Sequence, residues 1–486
     1  MRLLVLLPVL LCATTAAAQR PKGAPRPTGA PRPVAAVAAA AGPDVTIGLA
    51  RDTRIVAALA DVSPSRIRAT DSALVAFGTR HTLSDTVSET RGIGAARRFL
   101  YRELRAYSRD CGGCLRVEYD AYDVQIARFR DRPTARVVNV LAWLPGRDTS
   151  RVVVISGHYD SCICATNVAD ATSDAPGADD DGSGTSAVVE LARVISKRFP
   201  KGLDATIVFA TVAAEEQGLL GATGLARRLH EDGRTVVAAF TDDIIGNVVA
   251  DDGRVDSTSA RTYVVDSVPS RSGELGRYVW GIGALYTPAF AVRPTFRLDR
   301  IGRGGDHAPF HRLGDPALRF TERLEDTKRQ HLPTDDLSGV NFGYVANMAR
   351  LNLATLVSLA SAPSPVDSVM ARRDRASGGQ KWMVNWKPTS GAARYEVLFR
   401  ATTSPTWTKV YDAGTATSYL LDEQLDDGWA AVRAVSGDGH RSLTTVASTS
   451  APPRAAAPPA PPASPAPPAP APSAPATSAA APPEHE

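Results

Sequence analysis

Acidic residues and a histidine cluster in a stretch that begins near position 151, and their types point to metal chemistry. His158 and Asp160 directly follow an apolar run of β-branched residues, and the aspartates at 179–181 stand before a Gly-Ser-Gly turn. Adjacent carboxylates repel one another unless a cation or solvent screens them. A solvated acidic turn that caps a helix is the alternative. The His-x-Asp pair upstream favours a metal site.

Further candidate ligands follow later apolar, strand-like runs. Glu215 and Glu216 come after one such run, Asp243 comes after the next, and His307 stands in a later loop. Strand-like and helix-like patterns alternate, which predicts an α/β fold with a mainly parallel mixed sheet sandwiched by helices. Since ligands of such sheets bind at the carboxyl ends of the strands, we expect these side chains to lie together.

The residue types suit zinc, which prefers tetrahedral sets of histidine and carboxylate ligands. A pair of close zinc ions needs a bridging carboxylate, and can then clamp a carbonyl and a hydroxide together. The predicted metal ligands are His158, Asp180, Glu216, Asp243 and His307. The neighbours that compete for these roles are Asp179, Asp181, Asp242 and His311.

Five short motifs follow one another along the chain: HYDS, GADDDGSG, EEQGLLGA, DDIIGN and GGDHAPF. Together they resemble the co-catalytic di-zinc aminopeptidase family, whose relatives include glutaminyl cyclases and larger carboxypeptidases. The resemblance covers about 51–361. It implies a zinc peptidase that removes N-terminal residues from peptides with two Zn²⁺ per chain.

The resemblance implies a role for each ligand. His158 and Asp243 are expected to bind one zinc ion, and Glu216 and His307 the other. Asp180, the middle aspartate of the three, is expected to bridge both ions.

Three further residues have expected roles through the same resemblance. Asp160 should accept a hydrogen bond from His158 and fix its tautomer. Glu215 should act as the general base, taking a proton from the attacking water and returning it to the leaving amine. His331, in QHLPTDD, matches a place where the family often has Tyr-His, with Gln330 in place of the tyrosine. We expect His331 to contact the substrate.

Two other functions remain open alternatives. A glutaminyl cyclase-type acyl transferase would use one zinc ion, but those relatives usually follow the bridging aspartate with Ser-Ala, whereas Asp181-Gly182 stands here. An inactive binding or adhesion protein would be free to lose its metal-ligating residues during evolution. The intact set of these residues argues against that function.

Composition divides the rest of the chain. Residues 1–18 have a charged start, an apolar run and an Ala-rich cleavage site, which predicts a signal peptide and a secreted or periplasmic protein. Cys12 raises a lipoprotein alternative, which the large Leu11 before it disfavours. The other predicted segments are a Pro/Ala-rich linker (19–43), the peptidase domain (44–361), a linker (362–379), a β-sandwich resembling fibronectin type III (380–450) and a disordered Ala/Pro-rich tail (451–486).

The composition also limits the partners. The net charge of +4 is too small to indicate nucleic acid, and no stretch is apolar enough for a transmembrane helix. We expect a monomer with a peptide substrate, and a β-sandwich that serves as a spacer or binds a surface or the substrate. In an exported protein, the cysteines at 111, 114, 162 and 164 predict disulfides, and the sequence does not decide which cysteines pair. A zinc site and a redox motif are the alternatives.

Overall fold

The structure is a computed structural model that describes residues 50–129, 131, 133–264, 269–300 and 303–449. The predicted signal peptide, the linker at 19–43 and the tail at 451–486 lie outside the described residues.

The peptidase part begins with three helices followed by three strands, and from the third strand onward helices and strands largely alternate. The helices described are α1 (Thr53–Leu59), α2 (Pro64–Val75), α3 (Gly92–Asp110), α4 (Gly184–Arg198), α5 (Leu220–Glu231), α6 (Arg271–Tyr286), α7 (His307–Arg312) and α8 (Phe342–Ala360). The strands of this part are β1 (Arg116–Gln125), β2 (Thr134–Leu144), β3 (Asp148–His158), β4 (Ala205–Val212), β5 (Thr235–Asp242), β6 (Ser259–Val264), β7 (Ala291–Phe296) and β8 (Ala317–Glu322).

These strands form one eight-stranded sheet in the order β1-β2-β4-β3-β5-β8-β6-β7. The central strands β4, β3, β5 and β8 run parallel, whereas β1, β2 and β6 introduce antiparallel pairs toward the edges. The predicted α/β fold with a mainly parallel mixed sheet is confirmed.

The apolar run of β3 is buried because helices cover both faces of the sheet. Successive side chains of a strand point to opposite faces. Val152 and Val154 therefore pack with α5 and with Phe310 of α7, while Val153 and Ile155 pack in the larger core that contains α4 and α8. Because β3 is buried on both faces, its sequence contains a continuous apolar run and does not alternate between apolar and polar residues.

Glycines allow α4 to begin directly against the end of β3. A Cβ atom added to Gly157 would lie 2.6 Å from the backbone nitrogen of Thr185. One added to Gly184 would collide with the carboxylate of Asp181 and the carbonyl of Asp242. The first turn of α4 thus lies at the carboxyl end of the central strands.

The C-terminal part folds as two antiparallel sheets. Its strands are β9 (Met370–Arg373), β10 (Trp382–Asn385), β11 (Arg394–Ala401), β12 (Lys409–Gly414), β13 (Ser418–Leu421), β14 (Gly428–Val435) and β15 (Thr445–Val446). The sheet orders are β13-β10-β9 and β12-β11-β14-β15, and Trp386, Tyr395 and Val432 share the core between them. The predicted β-sandwich is present, while its likeness to fibronectin type III stays a prediction.

One predicted boundary differs from the structure. The segment 362–379 was expected to be a linker, but it contains β9, which pairs with β10 along its whole length, from Met370 opposite Asn385 to Arg373 opposite Trp382. The segment was predicted as a linker because it is polar, and β9 can be polar because it lies at the edge of its sheet.

The sandwich docks on α6 through buried polar groups. The indole Nε1 of Trp407 donates a 2.7 Å hydrogen bond to Oε2 of Glu274, and both residues are only 3% exposed. Arg277, one turn along α6, donates to the carbonyl of Pro405 at 2.8 Å and to Oε1 of Glu274 at 3.0 Å. The two parts of the chain therefore share a desolvated interface.

Of the helices that the structure describes, none combines the length and the apolarity needed to cross a membrane.

Candidate active site

The predicted acidic residues meet at the carboxyl ends of the central strands. His158 is the last residue of β3, Glu215 and Glu216 follow β4, and Asp243 follows β5. Glu215, Glu216 and Asp243 line a cavity of about 220 Å³ together with other residues. Its lining residues are Arg128, Asp180, Glu215, Glu216, Gly218, Leu219, Asp243, Arg303, Gly304, Arg319 and His331.

The first candidate ligand group consists of His158, Asp180 and Asp243, all of them buried. The Nε2 atom of His158 lies 3.2 Å from Oδ1 of Asp180 and 3.8 Å from Oδ1 of Asp243. Burial opposes the imidazolium, but the carboxylates of Asp160, Asp180 and Asp243 outweigh it and raise the pKa of His158 well above its usual value.

The three consecutive aspartates divide their roles. Asp181 accepts hydrogen bonds from the backbone nitrogens of His158 at 3.0 Å and Gly184 at 2.9 Å, so its carboxylate fixes the end of β3 against α4. Asp179 accepts from the backbone nitrogen of Gly246 at 2.7 Å. Only the middle residue, Asp180, belongs to the ligand groups. The choice of Asp180 over its neighbours thus agrees with the geometry.

The second candidate group consists of Asp180, Glu216 and His331, whose possible ligand atoms lie within 4.8 Å of one another. The Nε2 atom of His331 is 3.1 Å from Oδ2 of Asp180 and 3.3 Å from Oε2 of Glu216. Burial disfavours the imidazolium, but the Glu216 and Asp180 carboxylates outweigh it and raise the pKa of His331 to about 11. Asp180 is common to both groups.

His307 does not join these groups, in contrast to the sequence prediction. It is fully buried at the start of α7, and its Nε2 lies 2.9 Å from the backbone carbonyl of Leu298, to which it donates. Burial lowers the pKa of His307 to about 4. The position predicted for His307 is taken by His331, which had been assigned to substrate binding. The Asp-His-Ala-Pro-Phe motif marked the loop correctly but not the direction of the imidazole.

Asp160 connects the first histidine to the two glutamates. Its carboxylate oxygens each accept a backbone N–H, one from Glu215 and one from Glu216, both at 3.2 Å. Its backbone carbonyl lies 3.2 Å from Nδ1 of His158, nearer than its carboxylate at 3.6 Å. Asp160 therefore contacts His158 mainly through its main chain, and its side chain holds the glutamate turn.

Backbone strain is concentrated beside these residues. Ala214, Ile244 and His331 have positive φ angles of 59°, 57° and 58°. Such angles are unfavourable for residues other than glycine and persist only where the surrounding contacts enforce them. Each of the three is a candidate ligand or a neighbour of a residue in the cavity, so the strain serves to aim side chains.

Glu215 lines the cavity beside both groups and is not itself part of either. Burial raises the pKa of its carboxyl well above the usual value, although the nearby His158 imidazolium opposes that shift. Its position and its raised proton affinity suit a group that accepts and returns a proton.

Arg319 is a site residue that the sequence analysis missed. Its guanidinium, 1% exposed, pairs with Oδ1 of Asp243 at 2.8 Å and with Oδ2 of Asp299 at 3.1 Å. The neighbouring Asp242 turns away and accepts two hydrogen bonds from Nδ2 of Asn352, at 2.6 and 2.7 Å. An arginine inside the apolar run of β8 was the available signal, because arginine is rarely fully buried without a partner.

Buried polar atoms without hydrogen-bond partners support a metal at these groups. Among the described residues they include Oε1 of Glu216, together with Nε2 of His158 and Oδ2 of Asp180, whose contacts of 3.2 Å with Asp180 and 3.1 Å with His331 do not have hydrogen-bond geometry. Buried polar atoms are nearly always paired, and an ion site is one physical cause of such exceptions. Histidine nitrogen with carboxylate oxygen is a donor set that zinc accepts.

Comparisons with known proteins also indicate a zinc enzyme. The pattern of peptidase family M28 matches residues 139–356. A probable zinc metalloprotease of Leptosphaeria maculans is 38% identical over 432 residues, covering 82% of this chain and 98% of the relative. One of Pyricularia oryzae is 37% identical, covering 81% of this chain and 84% of the relative.

A solved structure shares the fold. The LapA aminopeptidase of Legionella pneumophila superposes with a TM-score of 0.51 at 21% identity, covering 70% of this chain and 80% of that one.

Proposed function

The chain belongs to peptidase family M28 and is a zinc metallopeptidase, and from this premise we propose that it is an exported aminopeptidase that uses a pair of zinc ions. The observation that carries the proposal is the presence of two ligand groups that share one carboxylate, with Glu215 beside them.

The donors divide between the proposed zinc ions. His158 and Asp243 would hold one ion, Glu216 and His331 the other, and Asp180 would contact both. A bridging carboxylate is what a close pair of ions requires. When bound, a zinc pair supplies Lewis acidity, which lowers the pKa of a water molecule and polarises a carbonyl.

The residues of the chain supply proton transfer and orientation. In the proposed mechanism the Glu215 carboxylate takes a proton from the attacking water and delivers it to the nitrogen of the departing amine. Asp160 holds the backbone of Glu215 and Glu216 in place, which keeps the base and a ligand in fixed relation. Arg319 neutralises part of the charge of Asp243 and fixes its carboxylate.

The size of the cavity supports action on a chain end. At about 220 Å³ it is smaller than the roughly 300–1,000 Å³ of pockets that take drug-sized ligands. A cavity of that size suits one terminal residue. The fold shared with the LapA aminopeptidase is consistent with this substrate.

Export is supported by the disulfides as well as by the N-terminal sequence. The structure pairs Cys111 with Cys114 and Cys162 with Cys164. Disulfides persist in oxidising compartments, which include the periplasm and the cell exterior.

The test uses the mature protein, purified with its bound metal. We expect about two zinc ions per chain, one for each ligand group. We also expect hydrolysis of aminoacyl-nitroanilides that stops on chelation and returns when zinc is added. The matched control is the same nitroanilide with an acetylated amine, which an aminopeptidase should leave intact. Equal hydrolysis of both, or pyroglutamate formation from a glutaminyl peptide in place of hydrolysis, would overturn the proposal.

A further inference from the structure

A disulfide lies against the second ligand group. Cys162 and Cys164 are joined to each other, Cys162 is 4% exposed, and Cys164 is half-buried. The sulfur atoms of both cysteines and a carboxylate oxygen of Glu216 lie within 4.8 Å of one another. Glu216 therefore faces two donor sets, one with Asp180 and His331 and one with the two sulfur atoms.

The segment that carries the cysteines is tied to the site at both ends. Two residues before Cys162, Asp160 holds the turn of Glu215 and Glu216. Just after Cys164, the backbone nitrogen of Ala165 donates to the carbonyl of His331 at 3.3 Å. A change in the cysteine pair would therefore be felt by both Glu216 and His331.

The oxidation state decides whether these sulfur atoms compete for metal. A disulfide sulfur carries no thiolate charge, whereas a free cysteine binds metal as the thiolate. Thiolates are softer ligands than carboxylates, and zinc accepts cysteine, histidine and carboxylate donors. Reduction would thus create two strong donors beside a carboxylate that already serves the metal.

We propose that Cys162, Cys164 and Glu216 form a second, reduction-dependent metal site that takes Zn²⁺ from the group of Asp180, Glu216 and His331. A dithiol reductant supplies two electrons and two protons to the disulfide and leaves as its own disulfide. The two new thiols release their protons when they bind the metal. The proposal rests on the proposed zinc ligands, and its consequence is a peptidase that loses activity on reduction and regains it on oxidation.

The other disulfide provides a matched control. Cys111 and Cys114 are also close in sequence and half-buried, but they lie at the end of α3. The Sγ atom of Cys111 contacts the carbonyl of Ser108, and that of Cys114 contacts the carbonyl of Ser196. In the described part of the chain, this pair belongs to no group of candidate metal ligands.

The experiment uses the full chain loaded with Co²⁺ in place of zinc, because cobalt bound to thiolate shows a near-ultraviolet charge-transfer band. A phosphine is the reductant, since it adds no thiolate of its own and becomes a phosphine oxide with oxygen from water. On reduction, we expect the band in the wild type and in the double variant Cys111→Ser/Cys114→Ser. We expect no band in Cys162→Ser/Cys164→Ser, nor in wild type that was reduced and alkylated before cobalt was added.

The outcomes separate this inference from the proposed function. If the oxidised protein hydrolyses peptides with bound metal but reduction produces no band, the inference is wrong and the peptidase assignment stands. A band of equal strength in Cys162→Ser/Cys164→Ser would also overturn it. If the oxidised protein binds no metal, the proposed ligand groups themselves are wrong. If Cys162→Ser/Cys164→Ser does not fold, the wild type that was reduced and alkylated before cobalt was added replaces it as the control without free thiols.

Discussion

Replacing His331 by glutamine should lower the zinc content, whereas replacing His307 by glutamine should leave it unchanged. His331 supplies one of the three donors of the second group, while His307 donates to the carbonyl of Leu298 outside both groups. His331→Gln should therefore lose one zinc ion per chain and retain the other, which keeps His158, Asp180 and Asp243. His307→Gln should retain both ions.

The size of each effect follows from the contacts. Loss of an outer hydrogen-bond partner of a metal ligand costs about 10- to 100-fold in affinity. Loss of His331 itself should weaken the second zinc ion by more than that. In His307→Gln the side-chain amide keeps an N–H donor for the carbonyl of Leu298, so the free energy of unfolding should fall by no more than about 1 kcal/mol, the net worth of one hydrogen bond, without removing zinc.

The assay is zinc per chain after dialysis against a series of fixed free-zinc concentrations, with urea unfolding of the metal-free proteins alongside. Wild-type protein dialysed in the same vessel is the control. If His307→Gln loses a zinc ion while His331→Gln keeps both, the sequence-based assignment is right and the argument from the geometry fails.

Three further predictions follow from the same contacts. Glu215→Gln should retain zinc and lower kcat by about 10²- to 10⁴-fold, the usual contribution of a general base; undiminished turnover at equal zinc content would exclude that role. Arg319→Gln removes the guanidinium that pairs with the buried carboxylates of Asp243 and Asp299, so the free energy of unfolding of the metal-free protein should fall by about 3–5 kcal/mol; urea denaturation measures this, and a loss below about 1 kcal/mol would contradict it. Neighbouring carboxylates raise the pKa values of His158 and His331 and so favour the protonated imidazoles in the metal-free protein, whereas zinc binds the neutral ring. Zinc should therefore release protons in weakly buffered solution and bind more tightly as pH rises; release of none would show that the rings are already neutral.

Much of the site could be predicted from the sequence because the ends of the central strands could be predicted. Apolar runs marked β3, β4 and β5, and in a parallel sheet their carboxyl ends meet at one edge. The residues that directly follow them, such as Glu216 and Asp243, line one cavity at that edge.

The residues that were misplaced lie in loops or depend on side-chain direction. His331 stands in a loop and His307 at the start of α7, both beyond the central strands, and which imidazole faces the ligand groups depends on a positive φ angle at one and a carbonyl contact at the other. Arg319 pairs with an aspartate 76 residues away in the chain, which no local pattern reveals. The pairing of the cysteines was likewise open until distances were known.

The buried contact between Trp407 and Glu274 limits how this chain could exchange modules during evolution. A recombination event that replaced the sandwich would leave Glu274 and Arg277 of α6 without the partners that satisfy them. The incoming module would have to present an indole or an equivalent donor at the same place. Gain or loss of the sandwich is therefore coupled to changes in α6, and the two should be inherited together.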